Sequence, residues 1–231
     1  MSSQLAPHVG FPLSASMQSK SNRFLEAVEA GDKRSGELFY EVLLQLTEEV
    51  IDALLVQTIT IARMSPMAQK VVHMCAATSN KASSLLSAKI YKGAKQAEMV
   101  EVGKFWQKLI RNEGSDAAGN WYLATPIDSK MASALDGILA EKGDATAFAP
   151  RDIEDLAAKY EQLMMMIIDE FFLGPAAFVD IGMVTRKMLN LGVDGVKSAA
   201  HAVIHKVVKK LDPEPMAAYV NHTTQFYIRL P

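Results

Sequence analysis

Two histidines near the C-terminal end of the chain have the spacing of metal ligands. His201 and His205 stand four residues apart, so on a helix their imidazoles share one face and can bind one metal ion. The segment His-Ala-Val-Ile-His lacks the glutamate of an H-E-x-x-H zinc site. Lys197 and Lys209 flank the pair, and their charges oppose a cation. We therefore expect a surface pair, no metal and no cofactor, with these two histidines as the candidate ligands should a metal bind.

Two acids interrupt the most apolar segment of the chain. Asp169 and Glu170 have apolar residues on both sides, which predicts a helix that is buried nearly all round and carries two carboxylates. A buried carboxylate needs a cationic partner or takes up a proton. The favoured interpretation is a structural ion pair, for which the candidate partners are Lys130, Arg186 and Lys187. The alternative is an acid that anchors a ligand or takes part in catalysis.

Three consecutive methionines precede these acids. Met164, Met165 and Met166 either fill irregular gaps in the core or line an adaptable apolar pocket. In the second case the pocket, with Asp169 or Glu170 as its acidic anchor, would belong to a small helical enzyme or to a protein that binds an apolar ligand. This is the alternative function that the sequence predicts.

Three lysines recur at intervals of eleven residues, which is close to three helical turns. Lys70, Lys81 and Lys92 therefore form a line along one helix. The preceding helix carries an acidic stripe, Glu37, Glu41, Glu48 and Asp52. The favoured interpretation is that the two stripes complement each other across a helical hairpin, because most charge runs are solvated faces. In the second interpretation the lysines present a surface to an anionic partner. Alanine and serine residues opposite the lysines predict close approach of another helix.

Composition excludes several classes of function. The net charge of −2 gives no general attraction to nucleic acid, and the basic segments have few interleaved aromatic residues, so we expect no nucleic-acid partner. A single cysteine, Cys75, excludes an intrachain disulfide and is typical of a reducing compartment. Charged residues interrupt both long apolar stretches, so we expect no membrane span. These features together predict a cytoplasmic location.

Helix caps and helix breakers recur along the chain, while strand alternation is nearly absent. This pattern predicts an all-α fold, with a flexible N-terminal tail over residues 1–19 and a single compact domain of eight or nine helices over 20–231. A long antiparallel hairpin is expected from helices at about 35–64 and 66–92, separated by the capping pair Ser65 and Pro66. Residues 216–230 fit a strand or a helix. We favour the helix, because a lone strand would have no partner.

The predicted function is that of a non-catalytic, cytoplasmic helical protein that binds another protein or a small apolar ligand. Self-association to a homo-oligomer is also expected, because the far half of the second helix is apolar on both sides. Leu55, Val56 and Ile59 continue the line of the acidic stripe there, so another surface must cover them.

Overall fold

The computed structural model describes residues 5–112, 120–140 and 150–231. Helices account for most of them: α1 (Ala15–Glu29), α2 (Ser35–Ile51), α3 (Gln57–Ile61), α4 (Pro66–Tyr91), α5 (Gln96–Leu109), α6 (Ser129–Ala140), α7 (Pro150–Ile167), α8 (Gly174–Ala176), α9 (Met183–Lys206) and α10 (Pro213–Thr224). Two π-helical segments, Asp52–Val56 and Ile168–Leu173, continue α2 and α7. Among the described residues, none of the helices combines the length and the hydropathy that a membrane crossing requires.

The chain is mostly α-helical, as predicted, but it is not all-α. A four-stranded antiparallel sheet contains β1 (Ala6–Pro12), β2 (Ile110–Asn112), β3 (Trp121–Pro126) and β4 (Tyr227–Leu230), in the order β2-β3-β1-β4. The first and last strands of the chain are neighbours, and in their register His8 lies opposite Ile228. A local pattern of residues contains no signal of this pairing, because the two partners are separated by almost the whole sequence.

Both ends of the chain therefore differ from their predictions. Residues 6–12 form a central strand and Ala15–Glu29 forms a helix, where a flexible tail was expected through residue 19. The side chain of Ser14 begins this helix by accepting a hydrogen bond from the Met17 N–H at 3.0 Å. The helix expected over 216–230 is present as α10 up to Thr224, but Tyr227–Leu230 is a strand, because β1 supplies the partner that a lone strand would lack.

The second and fourth helices contact each other along their length. At Gly36 an added Cβ would lie 2.1 Å from the Tyr91 carbonyl oxygen, so the first turn of α2 touches the last turn of α4. Near the middle, the hydroxyls of Thr47 and Ser83 are hydrogen bonded at 2.6 Å. Ser65 caps α4, with Pro66 at its first position, as the sequence predicts. The π-helical segment Asp52–Val56 interrupts the helix that was expected to run without a break to residue 64.

A segment of the same chain covers the apolar far half of the long second helix. The C-terminal helix α10 packs on α3 there, and His222 Nε2 donates to the Ala53 carbonyl at 2.7 Å. Leu55 is buried, while Val56 and Ile59 are partly buried against the core. The reason for expecting a second copy on this surface is therefore removed, because α10 already occupies it.

Candidate functional site

An apolar cavity of about 100 Å³ lies where α2, α4, α7 and α9 meet. Its lining is apolar apart from Tyr91 and small hydroxyl- and thiol-bearing residues on α2 and α4. The residues that line it are Thr47, Val50, Ile51, Leu54, Leu55, Cys75, Ser79, Ala82, Ser83, Leu86, Ser87, Ile90, Tyr91, Met164, Ile167, Ile168, Phe172, Leu173, Leu189, Gly192, Val193, Val196 and Ala200. No charged residue belongs to this lining.

Small residues on two helices create the space. Ser79, Ala82, Ser83 and Ser87 lie along the side of α4 that faces the cavity. On α9, an added Cβ at Gly192 would lie 2.4 Å from Leu86 Cδ1, so only glycine allows this contact without a shift. The close approach predicted from the alanine and serine content of α4 is therefore present, with α9 as the neighbouring helix.

A second cavity of about 50 Å³ adjoins the first. Five side chains line both, namely Leu54, Leu55, Met164, Ile167 and Ala200. The second cavity is also lined by Tyr227 of β4, by residues of α10 and by the hydroxyl pair of Tyr160 and Thr223, whose oxygens are 2.5 Å apart. Met164 is the most flexible of the side chains that line both spaces.

Both π-helical segments border the first cavity. Leu54 and Leu55 come from the segment Asp52–Val56, and Ile168, Phe172 and Leu173 come from the segment Ile168–Leu173. π-Helical turns are rare, and they occur frequently at functional sites. The sequence predicts ordinary α-helix at both places, and we find no residue pattern there that would have revealed the wider turns.

Tyr91, one of the lining residues, carries an unsatisfied polar group. The residue is buried, its ring packs edge-on against Phe39, and its hydroxyl forms no hydrogen bond within the described residues. Burial raises the pKa of Tyr91 far above its ordinary value, so the hydroxyl stays protonated and can act as a donor. An unsatisfied buried hydroxyl costs about 1–3 kcal/mol, which an acceptor atom on a ligand would recover in part.

The two acids that the sequence singled out do not belong to this site. The Asp169 side chain is half exposed and pairs with Lys197, with 2.7 Å between Oδ1 and Nζ. Glu170 is partly buried and lines neither cavity. The predicted partners Lys130, Arg186 and Lys187 were wrong, as was the prediction of a helix buried all round, because the acids fall in a π-helical turn whose outer side faces solvent and α9.

Only one of the three consecutive methionines lines the two cavities. Met164 lines both cavities, whereas Met165 and Met166 line neither. Met166 packs against the core and Met165 is partly buried. The predicted Met-lined pocket with an acidic anchor is therefore replaced by a pocket that contains one methionine and no acid.

Lys70 and Lys81 are exposed on α4, and Lys92 is exposed at the residue that follows its end. In the part of the chain that the structure describes, none of them forms an ion pair with the acids of α2, so the charge pairing expected across the two helices is not formed. The ammonium of Lys92 lies 4.3 Å from the centre of the Tyr40 ring, a cation–π contact.

The histidine pair has a partner that the sequence analysis missed. Glu161 of α7 lies against both rings: His201 Nδ1 is 2.6 Å from Oε1, and His205 Nε2 is 3.0 Å from Oε2. The two imidazoles are stacked, with their centres 4.0 Å apart. Glu161 stands forty residues before His201, so spacing within one helix could not reveal it. The only available signal was its position as an acid on a neighbouring amphipathic helix.

Comparisons of the chain with protein-family models, with curated proteins and with solved structures found no match.

The hydrogen bonds from His201 and His205 lower the pKa of Glu161 below its ordinary value. A carboxylate with a lowered pKa in the folded state stabilises the fold above its unfolded pKa of about 4.3, and this contribution is lost as the pH falls through the folded value. We predict that Glu161→Gln lowers the free energy of unfolding at pH 6 and that the difference from the parent protein shrinks below about pH 4. Urea denaturation of both proteins across this pH range measures the two free energies of unfolding. Glu154→Gln, at an exposed acid on the same helix, is the control. An equal, pH-dependent loss of stability in this control would contradict the role given to the hydrogen bonds of Glu161.

Proposed function

We propose that the protein is a non-catalytic binding protein that encloses a small, neutral, apolar molecule in the cavity between α2, α4, α7 and α9. The observation that carries this proposal is an apolar space at the junction of four helices, lined in part by Tyr91, a buried residue whose hydroxyl is unsatisfied. Native interiors contain few voids larger than a water molecule and few unsatisfied buried polar groups, so the coincidence of both at one place favours a binding site.

The size of the space sets the size of the ligand. The two adjoining cavities measure about 100 and 50 Å³. An apolar cavity of about 150 Å³ stays dry and binds benzene in another protein. The two spaces together have about that volume, so the occupant is a molecule of about six or seven non-hydrogen atoms. Movement of Met164, which lines both spaces, would let it occupy them together.

The lining sets the chemistry of the ligand. Because no charged residue borders either cavity, a carboxylate or an amine would lose its hydration without gaining a partner. Tyr91 lines the space, and we infer that a small movement of its ring brings the unsatisfied hydroxyl to an acceptor atom on the ligand. A ketone, an aldehyde, an ester carbonyl or an ether on an apolar frame meets both conditions.

The thiol in the lining is not arranged for catalysis. Cys75 is buried, and burial raises the pKa of its thiol, so the reactive thiolate is disfavoured. No histidine, aspartate or glutamate borders the cavity to act as a base. These features favour binding over chemistry as the role of the cavity.

Filling the cavity should abolish binding. Ala200 lines both spaces and is buried, so Ala200→Leu places three additional carbon atoms in them. We expect cyclohexanone to bind the parent protein with a Kd of about 1 mM or tighter and the variant at least tenfold more weakly. NMR of the methionine methyl groups measures the titration, and Met164 should shift most. Ala202→Leu, on the same helix but outside both linings, is the matched control. Binding that survives Ala200→Leu unchanged would contradict the site.

The hydroxyl of Tyr91 should distinguish a ketone from its hydrocarbon analogue. Cyclohexanone and methylenecyclohexane have the same shape, but only the ketone accepts a hydrogen bond. We predict that Tyr91→Phe weakens cyclohexanone binding by about three- to tenfold, as expected for one hydrogen bond, and leaves methylenecyclohexane binding unchanged. The unliganded variant should be as stable as the parent or more stable, because the unsatisfied group is gone. Equal effects on the two compounds would show that Tyr91 does not contact the ligand.

Exposed apolar residues at the start of α9 favour a second candidate function, association between copies of this chain. Met183, Val184 and Leu191 are 87, 74 and 64% exposed, and Leu85 of α4 is exposed beside them, next to the Leu86 that contacts Gly192. Exposed Arg186 and Lys187 lie within this segment, with the exposed acids Asp180 and Asp194 at its two ends. The stripe of α2 is acidic and exposed, so a second copy can offer opposite charge to the two basic side chains.

Sedimentation velocity over a range of concentrations tests this association. We expect reversible oligomers that weaken as salt is added, and Leu191→Gln should raise the dissociation constant by about tenfold, which is about 1.4 kcal/mol. Ser198→Gln, at an exposed position farther along α9, is the control and should have no effect. A monomer at every concentration and salt would exclude the second function.

A further inference from the structure

We infer that Glu161, His201 and His205 form a binding site for a divalent transition-metal ion, with Zn²⁺ as the preferred occupant. Two imidazoles and one carboxylate are a donor set that zinc accepts in proteins, and imidazole also suits copper and nickel. The site lies on the outer side of the contact between α7 and α9.

The three donors already converge. One donor atom from each residue can be chosen so that all three atoms lie within 4.8 Å of one another. Tetrahedral zinc with bonds of about 2.0–2.2 Å requires donors about 3.3 Å apart, so the widest separation must shorten by at most about 1.5 Å, a distance within the reach of side-chain rotation. The carboxylate now accepts a hydrogen bond from each ring, and a metal ion would take the place of those protons.

Of the two lysines that flank the histidines, Lys209 lies beyond the end of α9, in the 3-10 turn Val208–Lys210, and Lys197 is neutralised by an ion pair. Lys197, one helical turn before His201, would repel a metal ion if it were free. Its ammonium is instead paired with Asp169 at 2.7 Å, so the local charge of that pair is close to zero. Glu161 then supplies a net negative charge among the three donors, which compensates half of the charge of a divalent ion.

The site is open on one side. The side chain of His201 is half exposed, and those of Glu161 and His205 are about one-third exposed. Three protein ligands therefore leave a coordination position that water can fill, as in zinc sites that are not purely structural. A bound ion would also link α7 to α9, which should raise the melting temperature of the protein.

Zinc binding to the purified, untagged full-length chain tests the proposal. After treatment with a chelator, isothermal titration calorimetry with ZnCl₂ should show one site per chain. Co²⁺ should give the visible absorption of a four-coordinate ion with nitrogen and oxygen ligands. Each of Glu161→Gln, His201→Gln and His205→Gln should weaken zinc binding by more than about 100-fold, which exceeds the loss typical of residues that only support a metal ligand.

Two control variants separate this site from non-specific binding. His73→Gln removes an exposed histidine of α4, and Glu154→Gln removes an exposed acid of α7. Both should bind zinc like the parent protein. Circular dichroism and thermal melting establish that each variant is folded. The proposal is overturned if the parent binds no zinc, if any of the three ligand variants binds as well as the parent, or if His73→Gln loses affinity to the same extent.

The outcome does not depend on the proposed ligand cavity. The metal site uses the outer faces of α7 and α9, whereas the cavities border their inner faces, through residues such as Met164 and Ala200. Zinc can therefore bind while cyclohexanone does not, and cyclohexanone can bind while zinc does not. Each result tests one proposal without deciding the other.

Discussion

The close approach of α4 and α9 is the constraint on which the site depends. Gly192 of α9 leaves room for the Leu86 side chain of α4, since a Cβ there would lie 2.4 Å from Leu86 Cδ1. Serine and alanine side chains along α4 are too short to fill the space behind this contact, so helices that touch at one point leave a gap beside it. The gap is apolar because the neighbouring faces of α2 and α7 are core faces. A ligand site thus follows from a packing arrangement that places small residues opposite large ones.

The two π-helical segments are consistent with a function at this place. A core that is optimised for stability alone would be filled and regular, yet here two π-helical turns and Tyr91, whose buried hydroxyl is unsatisfied, line one unfilled space. Each of these features costs stability, and such costs are commonly found at functional sites. The contact between α7 and α9 has a polar outer side, where Glu161 joins the two histidines, and an apolar inner side, so one helix pair serves both proposed sites.

Local chemistry could be predicted from the sequence, and long-range pairing could not. Ser65 and Pro66 mark the start of α4 because a cap acts within one helical turn. The sheet was not predicted because its strands β1 and β4, which pair with each other, are separated by almost the whole sequence. For the site, the small residues of α4 indicated a close helix neighbour, but a cavity is a property of four helices together. Asp169 forms the ion pair that the sequence favours, but with Lys197. The predicted burial of this side chain was wrong, because burial was inferred from sequence neighbours, while the side chain lies on the solvent side of its turn.

Native mass spectrometry of the protein purified from its own host tests the central claim most directly. If the cavity holds a ligand, the folded parent protein should carry a small neutral molecule that is released on denaturation, and Ala200→Leu should be isolated without it. A parent protein whose native mass equals that of the bare chain, and which shows no binding when uncharged carbonyl compounds are added, would contradict the account.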